Sequence, residues 1–219
     1  MGITAVKLNN YIEHTLLKPY CLTKDIEQLC AEAIEHDFFG VCVTPYHVKS
    51  AAKFLNGSSV KLVTVVGFPF GYNHTPAKVE EVKKVIDAGA DEIDMVMNVA
   101  ALKNKDFSVV TNDIESVSMA VHMNNKIIKV IIESGVLSNE EIIKACEICT
   151  NAGVNFVKTS SGYAEKGATI EAVKLIREMV PASIKIKASG GIKEKDFALK
   201  LIDAGADRIG TSSGIELIG

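Results

Sequence analysis

Asp87-Ala-Gly-Ala-Asp-Glu-Ile-Asp94 recurs almost unchanged as Asp203-Ala-Gly-Ala-Asp-Arg-Ile-Gly210, with a looser third copy in Asn151-Ala-Gly-Val-Asn-Phe-Val-Lys158. In each copy the glycine (Gly89, Gly153, Gly205) falls where a helical pattern stops, the place for a left-handed C′ residue. An apolar run follows at once, so the unit is a helix end joined directly to a strand. The copies stand about 50–65 residues apart, which is two βα units of roughly 25–30 residues each. A fold that repeats this joint alternates helix and strand, and its strands run parallel.

Outward from these joints, seven short runs rich in Val and Ile stand out: Phe39–Thr44, Val60–Phe68, Glu92–Asn98, Lys126–Glu133, Val154–Ser160, Ser183–Ser189 and Asp207–Thr211. They are mostly apolar on both faces, as strands covered on both sides are. Helical spacing fills the gaps at Pro76–Asp87, Asn139–Thr150, Thr169–Met179 and Lys193–Asp203. Thr75-Pro76 reads as an N-cap with proline at N1, Ser138-Asn-Glu-Glu141 as a capping box, and Thr23-Lys-Asp-Ile26 as another helix start. Tyr11–Leu17, ahead of a helix at Thr23–His36, supplies an eighth strand. Eight strands predict a closed (β/α)8 TIM barrel, one domain over residues 1–219. The alternative, an open seven-strand Rossmann-like sheet, lacks a GxGxxG after any strand. The last unit is cut short: only Gly214–Gly219 follow Ser213, so its helix must be very short.

Composition sets the outer limits. The 219 residues are 47% hydrophobic and 23% charged, with 16 glycines and 5 prolines. That is enough apolar surface for a core and far from a low-complexity chain. Net charge is −3 and the basic residues, nearly all lysines, are scattered without aromatic interleaving, which argues against a nucleic-acid partner. No apolar run reaches about 18 residues, so no membrane span is expected. Cys21, Cys30, Cys42, Cys146 and Cys149 are an odd set without a secretion signal, which fits reduced thiols and a cytoplasmic protein. Cys146-Glu-Ile-Cys149 has CxxC spacing but lies inside a helical pattern with no second pair, and reads as two small apolar residues on one face. Met1-Gly2 lacks a myristoylation motif, because Val6 stands where Ser or Thr is needed.

In a parallel barrel the chemistry lies at the carboxyl ends of the strands. The charged residues there are Asp94, Lys158 and Lys187, with Lys185 on the Lys187 face but farther from the functional rim. The repeat puts Asp94, Lys158 and Gly210 at equivalent places. Charges that point into a barrel normally filled by branched aliphatics are costly unless paired or used. An interior salt bridge is the plain structural account, and catalysis is the other. Lys158 and Lys187 fall on adjacent strands, about 4.8 Å apart. An ammonium so close, in a dry interior, favours the neutral amine of Lys158, and a neutral amine attacks carbonyls. Asp94, across the rim, is placed to move protons directly or through a water.

Ser189-Gly190-Gly191 and Gly210-Thr-Ser-Ser-Gly214 follow strands seven and eight, where barrels hold phosphate with backbone N–H groups, hydroxyls and a short helix start. Each segment alone also reads as a tight turn. There is no GxSxG, P-loop or HExxH, and His14, His36, His47, His74 and His122 lack metal-ligand spacing, so no metal site is expected. His36 and His122 read as surface residues of helices.

Taken in order, Glu13-His-Thr-Leu-Leu-Lys-Pro19, Val41-Cys-Val-Thr-Pro45, Asp91-Glu-Ile-Asp94, Phe156-Val-Lys-Thr-Ser-Ser-Gly162, Ile186-Lys-Ala-Ser-Gly-Gly191 and Arg208-Ile-Gly-Thr-Ser-Ser213 resemble the class I 2-deoxy-D-ribose 5-phosphate aldolase family, over Tyr11 to Ser213. The resemblance implies a lyase of deoxyribonucleotide catabolism. It would cleave that sugar phosphate reversibly to D-glyceraldehyde 3-phosphate and acetaldehyde, with no metal or organic cofactor. It implies Lys158 as the Schiff-base lysine and Asp94 and Lys187 as its proton relay. It implies Gly162, Gly190, Gly191, Gly210, Ser212 and Ser213 as the phosphate loop, with Cys42 near the substrate. Glu13, where the family usually has Asp, would help hold substrate hydroxyls. A lysine that some members carry after the Ser-Gly turn is Tyr163 here, and the tail tyrosine of others has no counterpart in Glu216-Leu-Ile-Gly219. The fold suggests a homodimer or higher homo-oligomer. Two rival readings stay open: another Schiff-base aldolase or isomerase acting on a different sugar phosphate, and a non-catalytic sugar-phosphate binder.

Overall fold

A computed structural model describes Lys7–Gly219; the N-terminal residues 1–6, on which the secretion-signal and myristoylation readings rest, lie outside the described residues. Eight parallel strands close a barrel in sequence order: β1 Ile12–Leu16, β2 Gly40–Val43, β3 Lys61–Val66, β4 Glu92–Val96, β5 Ile127–Ile131, β6 Phe156–Lys158, β7 Lys185–Ser189 and β8 Arg208–Thr211. The seam is the β8–β1 pairing, with Glu13 opposite Gly210. The helices are α1 Thr23–Glu35, α2 Val48–Phe54, α3 Thr75–Asp87, α4 Val99–Lys103, α5 Phe107–His122, α6 Asn139–Asn151, α7 Ile170–Met179, α8 Lys195–Asp203 and α9 Gly214–Ile218. The open-sheet alternative is thereby excluded.

The repeated joints are what the sequence suggested. Gly89, Gly153 and Gly205 each follow a helix with φ of +113°, +65° and +114°. The capping box of α6 also forms: Ser138 N–H donates to Glu141 Oε2 at 2.7 Å, and Glu141 N–H donates to Ser138 Oγ at 3.3 Å. The start of α3 is shifted by one residue. Thr75 is already helical, and its hydroxyl donates to Asp113 Oδ1 at 3.0 Å instead of capping. Three helices were not marked in the sequence. α2 and α4 are short, and in α5 the β-branched Val109, Val110, Thr111, Val117 and Val121 obscure helical preference. Asp106 nonetheless caps α5, accepting from Val109 N–H at 3.3 Å.

Most of the apolar core lies between the barrel wall and the helices. Val41, Val43, Ile93, Met95, Ile128, Val130, Val157, Ile186 and Ile209 alternate outward along the strands and are buried there. The barrel interior holds a separate, smaller apolar group of Cys42, Val63 and Val65, with Leu17 and Phe68 above it. Much of the rest of the interior is charged, with the Phe39 and Phe156 rings against Arg208. The short last helix does cover its side: α9 packs on β1 and on the 3-10 turn Leu8–Tyr11, with Leu217 fully buried. Gly214 makes this fit, because a Cβ there would lie 2.8 Å from His14 Nδ1 and 3.0 Å from Phe38 Cε2.

Candidate active site

Side chains two apart on a strand share a face, so each strand sends only a few groups inward. In six of the strands those groups include a charge. Register then sets the neighbours: Asp94 lies opposite Lys129, Lys158 opposite Lys187, and Lys187 opposite Arg208. Asp94 Oδ2 accepts from Lys158 Nζ at 2.8 Å and from Lys187 Nζ at 2.6 Å, while its Oδ1 accepts from Lys129 Nζ at 2.9 Å. Glu13 accepts from Lys187 through Oε2, and from Arg208 through Oε1 at 3.0 Å. Lys129 also meets Glu92 at 2.5 Å and Glu13 at 3.5 Å. The Arg208 guanidinium lies over the Phe39 ring, 3.2 Å from its centroid.

The network is a salt bridge of four cations and three carboxylates. Burial opposes ionisation of Asp94, but Lys129, Lys158 and Lys187 outweigh it and hold the carboxyl well below the usual range. Glu13 is lowered in the same way against burial, chiefly by Lys129 and Lys187. Burial would discharge Lys129 and Lys187, yet Asp94 and Glu13 raise both. Glu13, Cys42 and Asp94 bring three potential metal-donor atoms within 4.8 Å of one another. Lys187 already donates to both carboxylates, and its ammonium repels a second cation there. The Cys42 thiol is pushed up to about 11, mainly by burial.

A pocket of about 440 Å³ opens at the carboxyl ends of the strands. Lys158 is the one member of the cluster that lines it. Gly162, Gly190, Gly191, Gly210 and Ser212 also line it, together with Lys18 and Lys193. Ser213 stands just outside that lining, and its N–H donates to Thr211 Oγ1 at 2.9 Å. Asp94 sits behind Lys158 in direct contact with its amine, and Lys187 joins them through Asp94 Oδ2. Glu13 and Cys42 do not line the pocket. Glu13 is turned into the wall by Lys187 and Arg208, and Cys42 belongs to the small apolar group. No histidine lines the pocket. Lys185, expected on the Lys187 face, is exposed at the opposite end of β7.

Gly210 has a second duty beside the pocket: a Cβ there would lie 2.9 Å from Lys187 Cε. Four functional neighbours were not singled out in the sequence. Lys129 is a lone charge within Ile127-Ile-Lys-Val-Ile131, the same signal that marked Lys158. Glu92 lies two residues from Asp94 and shares its face, and Arg208 lies opposite Lys187. Glu133 gave no signal: it is buried, has φ of +55°, and accepts the Ser161 N–H with both carboxylate oxygens at 3.1 and 3.2 Å. It thereby anchors the turn that carries Gly162. The CxxC pair is packed inside α6, and burial pushes Cys146 up to about 12.

Residues 7–217 match the model of the DeoC/LacD family aldolases. A deoxyribose-phosphate aldolase of Thermococcus kodakarensis is 48% identical over 214 residues, covering 97% of this chain and 96% of its own. The solved structure described as QR15, an aldolase, superposes with a TM-score of 0.92 at 42% identity, covering 97% of this chain and 94% of that one. The deoxyribose phosphate aldolase of Aeropyrum pernix, described as a unique tetramer, gives 0.90 at 29% identity over 96% of this chain and 89% of its own. A closed barrel, a lysine–carboxylate cluster at its strand ends and a match along almost the whole sequence agree, and the chain belongs to the DeoC/LacD aldolase family.

Proposed function

We propose that the protein cleaves 2-deoxy-D-ribose 5-phosphate reversibly to D-glyceraldehyde 3-phosphate and acetaldehyde through a Schiff base on Lys158. The observation that carries this is the position of Lys158: it alone of the buried cations reaches the pocket, and it shares Asp94 Oδ2 with Lys187. The neutral amine of Lys158 attacks the C1 carbonyl.

Attack gives a carbinolamine, and loss of water gives an iminium ion. The bond that breaks is C2–C3, which leaves C2 as the enamine carbon. The C3 hydroxyl proton leaves with its base, the electrons of the broken bond go to the iminium, and glyceraldehyde 3-phosphate departs. Protonation at C2 and hydrolysis then release acetaldehyde and free Lys158. Asp94 and Lys187 carry these protons: Asp94 bonds the amine directly, and Lys187 reaches it through the shared Asp94 Oδ2. The glycine-rich turns at Gly162, Gly190–Gly191 and Gly210–Ser213, with Lys18 and Lys193 beside them, offer N–H groups and positive charge to the phosphate. Glu13 acts through Lys187 rather than on substrate hydroxyls.

Borohydride reduction in the presence of 2-deoxy-D-ribose 5-phosphate tests the reading. A reduced adduct mapped to Lys158 by mass spectrometry is the expected result, and Lys158→Ala abolishes it. No adduct in folded wild-type protein overturns the reading. We further infer a homo-oligomer, as in the tetrameric relative, and a cytoplasmic setting, in keeping with five free thiols. No helix among the described residues is long and apolar enough to cross a membrane.

A further inference from the structure

We propose that Tyr163 is a positioning residue: it latches the segment between β1 and α1 over the pocket, and so governs how tightly the substrate is held rather than how fast it reacts. The proposal rests on the aldolase reading above. Tyr163 directly follows Gly162 on the segment that leaves Lys158. Its hydroxyl donates to the Leu17 carbonyl at 2.9 Å, across 146 residues of sequence. Its N–H donates to Ser161 Oγ at 3.1 Å, which fixes the base of the side chain. Its ring stands edge-on to Phe68, with centroids 5.3 Å apart. One side chain of the segment after β6 thus touches the segments that follow β1 and β3.

Two of these segments line the pocket, through Leu16–Tyr20 and through Gly162 and Tyr163. Leu17 and Phe68 also rest on the apolar group Cys42, Val63 and Val65 inside the barrel. The Tyr163–Leu17 hydrogen bond therefore sets the spacing of the mouth. Tyr163 is 46% exposed, so water competes for that bond and the latch opens readily. Lys158, Asp94 and Lys187 stand on the barrel wall beneath and are held by one another. Opening the latch leaves their geometry alone.

Tyr163→Phe removes the hydroxyl and keeps the ring contact with Phe68. With 2-deoxy-D-ribose 5-phosphate as substrate, the variant is expected to raise KM about three- to tenfold, the worth of one hydrogen bond. Its kcat should stay within about twofold of wild type. A second readout needs no turnover. Cys21 lies in the latched segment, and it is the only cysteine of the five that is not buried. Labelling of Cys21 by a thiol reagent, mapped by mass spectrometry, should be several-fold faster in Tyr163→Phe at the same pH. Unchanged KM with unchanged labelling overturns the latch, as does a fall in kcat at constant KM. If wild-type protein cleaves none of the substrate, the aldolase reading fails instead, and the labelling rates alone decide the latch.

Discussion

Lys129→Met removes one cation from the buried cluster without touching the pocket. Asp94 then keeps one fewer cation to balance its charge. The size of the effect follows from the geometry. Lys129 Nζ donates to Asp94 Oδ1 at 2.9 Å and is the foremost of the cations that hold that carboxyl below its usual range. At an effective dielectric constant of about 20, opposite unit charges centred about 4 Å apart attract by roughly 4 kcal/mol, or about 3 pH units. Loss of Lys129 removes this attraction, so Asp94 takes up a proton at higher pH than in wild type. The acid limb of kcat/KM should move up by as much as about 3 pH units. The assay is a pH profile of kcat/KM, with circular dichroism at each pH to exclude unfolding, because Glu92 is left with Arg208 alone, 3.6 Å away. A folded variant whose acid limb stays in place would refute the charge-balance argument.

Three further outcomes follow from other contacts. Gly210→Ala places a Cβ 2.9 Å from Lys187 Cε, so kcat should fall about tenfold or more by displacement of Lys187, measured by steady-state kinetics; an unchanged kcat would mean that Lys187 yields freely. Lys78, fully buried, donates to Asp113 at 2.5 Å and to the Val96 carbonyl at 2.8 Å, behind β4. Lys78→Met leaves Asp113 unpaired and should cost about 3–5 kcal/mol, visible as a fall in the denaturant midpoint. Asp94 and Glu13 have lowered folded-state pKa values, so the stability they contribute is present above the ordinary carboxylate range and drains away as pH falls through the folded values. Stability measured from pH 6 downward should fall less steeply in Asp94→Asn than in wild type.

The fold was legible because its joints repeat. Gly89, Gly153 and Gly205 mark helix ends by a backbone need that few other residues meet, and the strands between them are apolar on both faces. The gap was α5, whose β-branched residues are helical only because the barrel wall buries one of their faces. At the site, Asp94, Lys158 and Lys187 were visible as charges at the carboxyl ends of apolar strands. Lys129 carried the same mark one strand over, but its strand has no copy of the repeat to draw attention to it. Glu133 was invisible, since its role depends on a left-handed backbone and on a Ser161 N–H 28 residues away. The pocket-facing role expected for Glu13 depended on which way its carboxylate turns. That is decided by Lys187 and Arg208, 174 and 195 residues farther along.

Those two separations also bear on how the enzyme comes into being. Glu13 belongs to the first strand, and the groups that hydrogen-bond it, Lys187 and Arg208, arrive with the last two. Lys129, 3.5 Å away on the fifth strand, comes earlier, but the hydrogen bonds that take the carboxylate out of water wait for the seventh and eighth strands and for seam closure. Long-range pairings of this kind form late, after the chain entropy of a nearly full-length loop has been lost. The burial of Lys158 against Asp94 is completed by the same event. A nascent or half-folded chain therefore presents hydrated lysines, and the pocket they line takes shape only when the barrel has shut.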